Sequence, residues 1–167
     1  TTASLSSAIA DAANPPPLWI NSSTTTIYRH AEDRPMTESS GDLGAGFSVD
    51  VAKAWERALF ADDLPHTRRV ALRSAIVLGH GGVLGPLERL ARLGLGGAQH
   101  DGRWPVSRAR RAAGTGHFPG ARHGTQRFSW VHVDDVARII DFLEVTPSIE
   151  GPVNAASPNP SDNAGFM

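Results

Sequence analysis

The stretch at residues 18–28, LWINSSTTTIY, decides the fold, because a short apolar run gives way there to five consecutive hydroxyl side chains. Three prolines precede Leu18, Trp19 and Ile20, and an apolar run bounded by such breakers predicts a buried strand of a parallel sheet. Ligands of open α/β sheets bind beyond the carboxyl ends of the strands, so the hydroxyls at 22–26 predict a polar site. The alternative is that these side chains only satisfy nearby backbone groups.

The composition limits the classes of function. With 40% hydrophobic and 20% charged residues, the 167-residue chain matches a soluble globular protein of about one domain. The absence of cysteine excludes disulfides and thiolate metal sites. A net charge of −1 predicts no general attraction to nucleic acid or membrane. No apolar run reaches the roughly 18 residues of a membrane span, and the first residues lack a secretory signal, so we expect a cytoplasmic protein.

A basic segment at 98–127 interrupts the regular pattern with glycine, proline, histidine and six arginines. It predicts either a solvated loop insertion or an electropositive flap near an anionic ligand, because arginine binds phosphates and carboxylates through two parallel hydrogen bonds. The histidines at 100, 117 and 123 lie too far apart and too far from carboxylates to predict a metal site.

Helical periodicity predicts amphipathic helices on either side of the first strand. The first helix is expected over 1–13, and the second over 48–60 with Ser48 or Asp50 as its cap. A third is expected over 84–95, ended by glycines. The buried stripes predicted for the first two helices consist of Leu5, Ala8, Ile9 and Ala12, and of Val51, Trp55, Ala58 and Leu59.

Further apolar runs predict strands at 69–78, 128–133 and 151–157, and 161–163 is typical of a helix cap. Asp134 or Asp135 is expected to begin a helix whose buried face carries Val136, Ile139, Ile140 and Leu143. His132 beside these acids suggests either a catalytic pair or a structural contact. We favour the structural interpretation, because residues two apart at a strand-to-helix turn need not face each other.

Taken in order, SSTTTIY, VAKAWERAL, RVALRSAIVLG, RFSWVHVDDVARIIDFL and GPVNAASPNPSDN resemble the extended branch of the short-chain dehydrogenase/reductase superfamily. The likeness is to its NAD-dependent epimerase/dehydratase proteins, and most of all to the atypical group with a C-terminal domain of unknown function. It implies an α/β fold: the later part of a Rossmann-like, doubly wound parallel sheet with part of a small substrate region. Residues 1–167 would form a single partial domain that lacks the first βαβ unit with its glycine fingerprint, and would thus be a fragment.

The resemblance also implies a site. The family places a serine or threonine after the strand and a Y-x-x-x-K motif on the next helix. Here the hydroxyl position falls on Thr24, the tyrosine position on Ser48 and the lysine position on Ala52. Lys53 is one residue away, about 100° around the helix. Tyr28 is the alternative acid, so the implied catalytic set is Thr24, Tyr28 and Ser48.

The same likeness assigns the ligand contacts of NAD or NADP and of the substrate. Arg127 is the expected anion contact, and Trp130 belongs either to the substrate pocket or to the core. The implied cofactor-binding residues are Ser22, Ser23, Arg73, Ser74, Val77, Leu78 and Gly79, and the implied substrate-binding residues are Gln126, Arg127 and Trp130.

The function implied is that of an NAD(P)-dependent, epimerase/dehydratase-like oxidoreductase, acting on a small molecule such as a nucleotide sugar without the Y-x-x-x-K motif. The alternatives are a catalytically silent cofactor-binding or regulatory protein and an inactive truncated fragment. Members of the family often form homodimers through helices equivalent to 1–13 and 48–60. The alternative for this chain is that the same helix faces cover the exposed core.

Overall fold

Strand β1 (Leu18–Thr24) lies at one side of a three-stranded parallel sheet. The other strands are β2 (Arg68–Ser74) and β6 (Gly151–Ala155), and the order is β1-β2-β6. The structure, a computed structural model, describes residues 1–31, 33–79, 84–95, 97, 105, 107–112, 125 and 127–166. The chain divides into two compact units, of which the first comprises Thr1–Ala75 and Asp135–Ala155. Its elements are α1 (Thr2–Ala10), β1, a 3-10 turn (Thr25–Ile27), α2 (Phe47–Phe60), β2 (Arg68–Ser74), most of α5 (Val133–Val145) and β6 (Gly151–Ala155).

Helices cover both faces of this sheet, which makes the first unit a doubly wound α/β structure. On one face, α1 and α2 contribute to a core cluster of Ile9, Trp19, Leu59, Leu64 and Ala71. On the other face, α5 packs on a cluster of Val70, Leu72, Leu143 and Ala155. The predicted Rossmann-like class is therefore confirmed, and burial of these apolar side chains is its main source of stability.

The second unit comprises Ile76–Asp134 and Ala156–Met167. Strand β3 (Ile76–Leu78) pairs in parallel with β5 (Trp130–His132), and β4 (Arg127–Phe128) pairs antiparallel with β7 (Ser161–Asp162). Its helices are α3 (Leu84–Arg92), α4 (Arg108–Ala112) and α6 (Asn163–Phe166). As predicted, the third helix is followed by a glycine in the left-handed region, Gly94 at φ 70°.

The predicted buried faces of the first two helices are partly wrong. In α1, Ser6 and Ile9 are buried, whereas Leu5 is 48% exposed. In α2, the buried residues are Val49, Ala52, Glu56 and Leu59, and Trp55 is 46% exposed. The cap is also different, since Gly46 at φ 119° precedes the helix, and neither Ser48 nor Asp50 takes that position.

The predicted single strand over 69–78 is two strands. Ala75 separates β2 from β3 and donates its backbone N–H to Ala155 at 3.0 Å, whereas Ile76 donates to Ser129 at 3.3 Å. The chain thus leaves one sheet and enters another within two residues. A single apolar run gives no sign of such a change of partner.

The predicted strand over 128–133 is likewise divided, and α5 begins at Val133. His132 precedes the helix, and its Nδ1 accepts the backbone N–H of Asp134 at 3.2 Å. His132 therefore caps this helix, which agrees with the structural interpretation. The reason given for it was wrong, because His132 Nδ1 lies 3.5 Å from Asp134 Oδ2 and the two side chains do face each other. Ile140 is exposed rather than buried. The predicted cap at 161–163 is confirmed, because Asp162 accepts the N–H of Gly165 at 2.7 Å.

No helix among the described residues has both the length and the apolar character needed to cross a membrane. The assignment of residues 1–167 to one partial domain stays a prediction.

Candidate functional site

Three polar residues form one row across the carboxyl half of the β1-β2-β6 sheet. Ser23 is paired in register with Arg73, and Arg73 is paired with Asn154. Side chains in register on parallel strands point to the same face, which here is the face covered by α2. A polar row beneath a helix requires buried hydrogen-bond partners.

Glu56 of α2 provides the central partner. Its Oε1 accepts hydrogen bonds from Ser23 Oγ at 2.7 Å and Arg73 Nε at 2.8 Å, and its Oε2 accepts one from Arg73 Nη2 at 2.7 Å. Glu56 is 8% exposed and Arg73 is 5% exposed. The two side chains therefore form a buried bidentate ion pair, the geometry in which such a pair is strongest.

Tyr28 extends this network to the third strand. The 3-10 turn at Thr25–Ile27 leads the chain from β1 to Tyr28, whose hydroxyl accepts from Arg73 Nη1 at 2.7 Å. The same hydroxyl donates to Asn154 Oδ1 at 2.9 Å. The guanidinium carbon of Arg73 also lies 5.0 Å from the centre of the Tyr28 ring, within cation–π distance. A continuous network thus joins all three strands and α2.

The ion pair shifts the pKa values of both partners. Burial raises the pKa of Glu56, but the hydrogen bonds from Arg73 and Ser23, together with the guanidinium charge, outweigh burial and leave it below its ordinary value. The hydrogen bonds to Glu56 raise the pKa of Arg73, and burial only partly opposes them. Both side chains are therefore charged at neutral pH.

We expect Glu56 to make stability depend on pH. Because its folded-state pKa lies below the ordinary value of 4.5, its contribution is complete above that pH and is lost as the pH falls through the folded-state pKa. Urea midpoints measured from about pH 6 to pH 3 should fall less steeply in Glu56→Gln than in wild type. The exposed Glu88→Gln serves as the control and should follow the wild-type slope. Parallel curves for Glu56→Gln and wild type would contradict the assignment.

The hydroxyl run divides into strand and turn. Ser22 is exposed on β1, and Thr24 Oγ1 donates to Thr26 Oγ1 at 3.0 Å while accepting the Thr26 N–H at 3.2 Å. Thr25 Oγ1 makes a long 3.5 Å contact to the carbonyl oxygen of Ser74. Because Thr26 accepts the Thr24 hydrogen, the exposed Thr26 hydroxyl retains its own hydrogen for donation to a ligand.

The positions that correspond to Y-x-x-x-K lie on α2 but are not equivalent in the structure. Ser48 is exposed in the first turn, whereas Ala52 is fully buried against Ile27 and Tyr28. A lysine side chain would not fit at Ala52 without displacing these neighbours. Lys53 Nζ instead donates to the carbonyl oxygen of Gly44 at 2.8 Å.

The structure places the other residues that were predicted to bind the cofactor or the substrate in different environments. The side chains of Ser23 and Arg73 are committed to Glu56 and Tyr28, so neither side chain is left for a cofactor. Val77, Leu78 and Gly79 belong to the second unit, in which a Cβ at Gly79 would overlap Val133. Arg127 is exposed, and Trp130 donates its indole N–H to the carbonyl oxygen of Asn159 at 3.0 Å. Gln126 and most of the basic segment lie outside the described residues.

Sequence reasoning missed Glu56 and Asn154. One signal was present: an arginine inside the otherwise apolar strand at 69–78 requires a buried acid. Glu56 is not part of the stripe predicted for the neighbouring helix, because that stripe is displaced around the helix from the face that the structure buries. Asn154 lies in the GPVNAAS segment that carries the family resemblance, but nothing in the sequence linked it to Tyr28, 126 residues away. Among the residues that the structure describes, no three histidine or acidic side chains come together as a metal site would require.

The fold and the polar row define a doubly wound α/β protein with a candidate site at the carboxyl ends of its strands. The human epimerase family protein SDR39U1 is 31% identical over an alignment 169 residues long that covers 99% of this chain and 49% of that protein. Its crystal structure with NADPH (isoform 2) gives a TM-score of 0.77 at 28% identity, covering 99% of this chain and 48% of that one. A nucleoside-diphosphate sugar epimerase from Corynebacterium glutamicum gives a TM-score of 0.75 at 26% identity, with 99% and 31% covered. No family model matches the chain.

These likenesses confirm the family. The chain belongs to the extended branch of the short-chain dehydrogenase/reductase superfamily, with its epimerase-like proteins. It spans about half the length of the curated relatives it matches.

Proposed function

We propose that the chain carries the nicotinamide-binding part of an NAD(P)-dependent, epimerase-like enzyme whose substrate is a nucleotide-sugar-like small molecule. The observation that carries the proposal is the Thr24–Thr26 hydroxyl pair, which ends β1 beside the parallel strand β2. The NADPH named with the human relative and the nucleoside-diphosphate sugar named with the bacterial one support these ligand classes.

The described residues of the first unit fit the nicotinamide end of such a cofactor better than its pyrophosphate. Hydroxyls and backbone amides at the strand ends suit an uncharged carboxamide. Arg73 does not suit a phosphate, because each of its three guanidinium nitrogens already donates to Glu56 or Tyr28. When bound, the nicotinamide supplies the hydride acceptor or donor.

The chain itself contributes the hydrogen bonds that orient the nicotinamide. In this proposal Thr26 donates to the carboxamide oxygen, and Thr24 holds Thr26 in place. Tyr28 and Ser48 stay predicted acids. The Tyr28 hydrogen is already donated to Asn154, and a serine hydroxyl is a far weaker acid than a phenol near pKa 10. General acid–base help typically contributes about 10²- to 10⁴-fold, so we expect slow turnover.

Thermal unfolding of the 167-residue chain tests the proposal with four separate probes: NADPH, NADH, nicotinamide mononucleotide and ADP. A ligand at 100 times its Kd adds about 2.7 kcal/mol, which for a domain of this size raises the Tm by about 5–11 °C. We expect NADPH or NADH, and the mononucleotide, to raise the Tm, and ADP to have little effect.

Thr26→Val should reduce the shift, whereas Ser4→Ala on the exposed side of α1 should leave it unchanged. A cooperative transition that none of the nicotinamide compounds moves would contradict the proposal. The homodimer and the cytoplasmic location stay predictions from the sequence.

A second candidate is a catalytically silent protein that binds the cofactor. The observation in its favour is that Ala52, at the lysine position, is fully buried, while Ser48 takes the tyrosine position. A panel of UDP- and dTDP-sugars incubated with the chain and NAD(P) separates the two candidates. Epimerised product supports the enzyme, whereas a Tm shift without product supports the silent protein.

A further inference from the structure

Residues 36–44, here called the strap, begin and end at defined contacts with the first unit. At the end nearer α2, Tyr28 and Leu43 form an antiparallel bridge. Gly44 donates to the carbonyl oxygen of Ile27 at 2.8 Å, and Arg29 donates to that of Asp42 at 2.9 Å. This end of the strap is therefore fixed beside the carboxyl end of β1.

The middle of the strap lies on the Tyr28 ring. Gly41 donates to the carbonyl oxygen of Thr37 at 2.8 Å, which closes a tight turn. A Cβ at Gly41 would overlap both that carbonyl and the Tyr28 ring, so the turn needs glycine at this position. Met36 packs against the buried cluster that contains Tyr28 and Ala52. The Tyr28 ring therefore packs against the middle of the strap.

The other end of the strap is held by Asn154 of β6. The backbone N–H of Asn154 donates to Glu38 Oε1 at 2.7 Å, and its side-chain Nδ2 donates to the carbonyl oxygen of Met36 at 3.3 Å. Its Oδ1 accepts the Tyr28 hydroxyl. Since β1 and β6 are the outer strands of the sheet, the strap passes from one side of β2 to the other.

We infer that the strap is a lid over the carboxyl end of the sheet, and that the bond between Glu38 and Asn154 is its latch. The Asn154 side chain is fixed from within by Tyr28, which Arg73 holds in turn, whereas Glu38 is exposed. The latch can therefore open without disturbing the buried network. What the lid covers, the entrance to the proposed nicotinamide and substrate site, rests on the proposed function; the latch itself does not.

Hydrogen–deuterium exchange of the chain, read by mass spectrometry, tests the latch. Glu38→Ala should raise the exchange rate of peptides within 36–44 by about 3- to 10-fold, the change expected for loss of one net hydrogen bond. Glu38→Gln keeps an oxygen that can accept the Asn154 N–H and should restore most of the protection. Glu144→Ala, an exposed change on α5, serves as the control and should match wild type.

Equal exchange of the strap in Glu38→Ala and wild type would overturn the inference. So would an increase spread equally over α1 and α2, which would indicate general destabilisation. In wild type, NADPH should slow exchange of the strap. A latch effect without any effect of NADPH on exchange or Tm would keep the latch and contradict the proposed function. A Tm shift with NADPH but no effect of Glu38→Ala on exchange of the strap would support the proposed function and contradict the latch.

Discussion

Replacing Glu56 with alanine is expected to destabilise the chain by about 3–5 kcal/mol, because it leaves the buried Arg73 guanidinium without its counter-charge. The carboxylate accepts two hydrogen bonds from Arg73 and one from Ser23, and all three donors lose their partner together. Alanine favours the helix, so α2 itself does not account for the loss. A domain with a typical total stability of about 5–15 kcal/mol would lose a large part of it.

Urea unfolding measures this loss as a lower midpoint with an unchanged m-value. Glu88→Ala is the matched control: Glu88 lies in an exposed i,i+4 pair with Arg92 at 3.8 Å, and its loss should change stability by no more than about 0.5 kcal/mol. A loss below about 1 kcal/mol for Glu56→Ala would contradict the buried ion pair.

The double variant Glu56→Leu with Arg73→Met separates the charge from the packing. With both charges removed, no unpaired ion remains, so the double variant should be more stable than Glu56→Ala. It still leaves Ser23 without its acceptor and Tyr28 without the bond from Arg73, although Tyr28 keeps its bond to Asn154, and should therefore stay below wild type. The two changes share one interaction, and we expect them to be strongly non-additive.

The parts of the fold that depend on local sequence could be predicted. The apolar run before Asn21 and the run that contains Val70 both form parallel strands, and three prolines precede the first of them. Exact helix faces could not be predicted, because α1 buries Ser6 and α2 buries Glu56, two polar residues that an apolar stripe leaves out. The division of the strand at Ala75 could not be predicted either, because one continuous run of the sequence forms both strands.

Prediction of the candidate site from the sequence was limited in the same way. The hydroxyls near Thr24 could be located from the end of a strand, but the partners of Tyr28 could not, because they come from β2 and from β6 far along the chain. Hydrogen bonds between distant residues leave no periodic trace in a sequence. The family resemblance supplied the expected catalytic positions, whereas the structure supplied the network around Glu56.

Leu59→Ala is expected to cost about 2–5 kcal/mol, the range for removing a large aliphatic side chain from a packed core. Leu59 is fully buried, and its cluster joins α1, α2, β1 and β2, so a cavity there weakens every element on that face of the sheet. Leu5→Ala is the matched comparison: the sequence predicted Leu5 to be buried, but the structure exposes nearly half of it. Full burial of a leucine contributes about 1.5–3 kcal/mol, so Leu5→Ala should cost about 1 kcal/mol or less. Urea midpoints of the two variants measure how much stability each leucine contributes. Equal losses would contradict the packing of α1 seen in the structure.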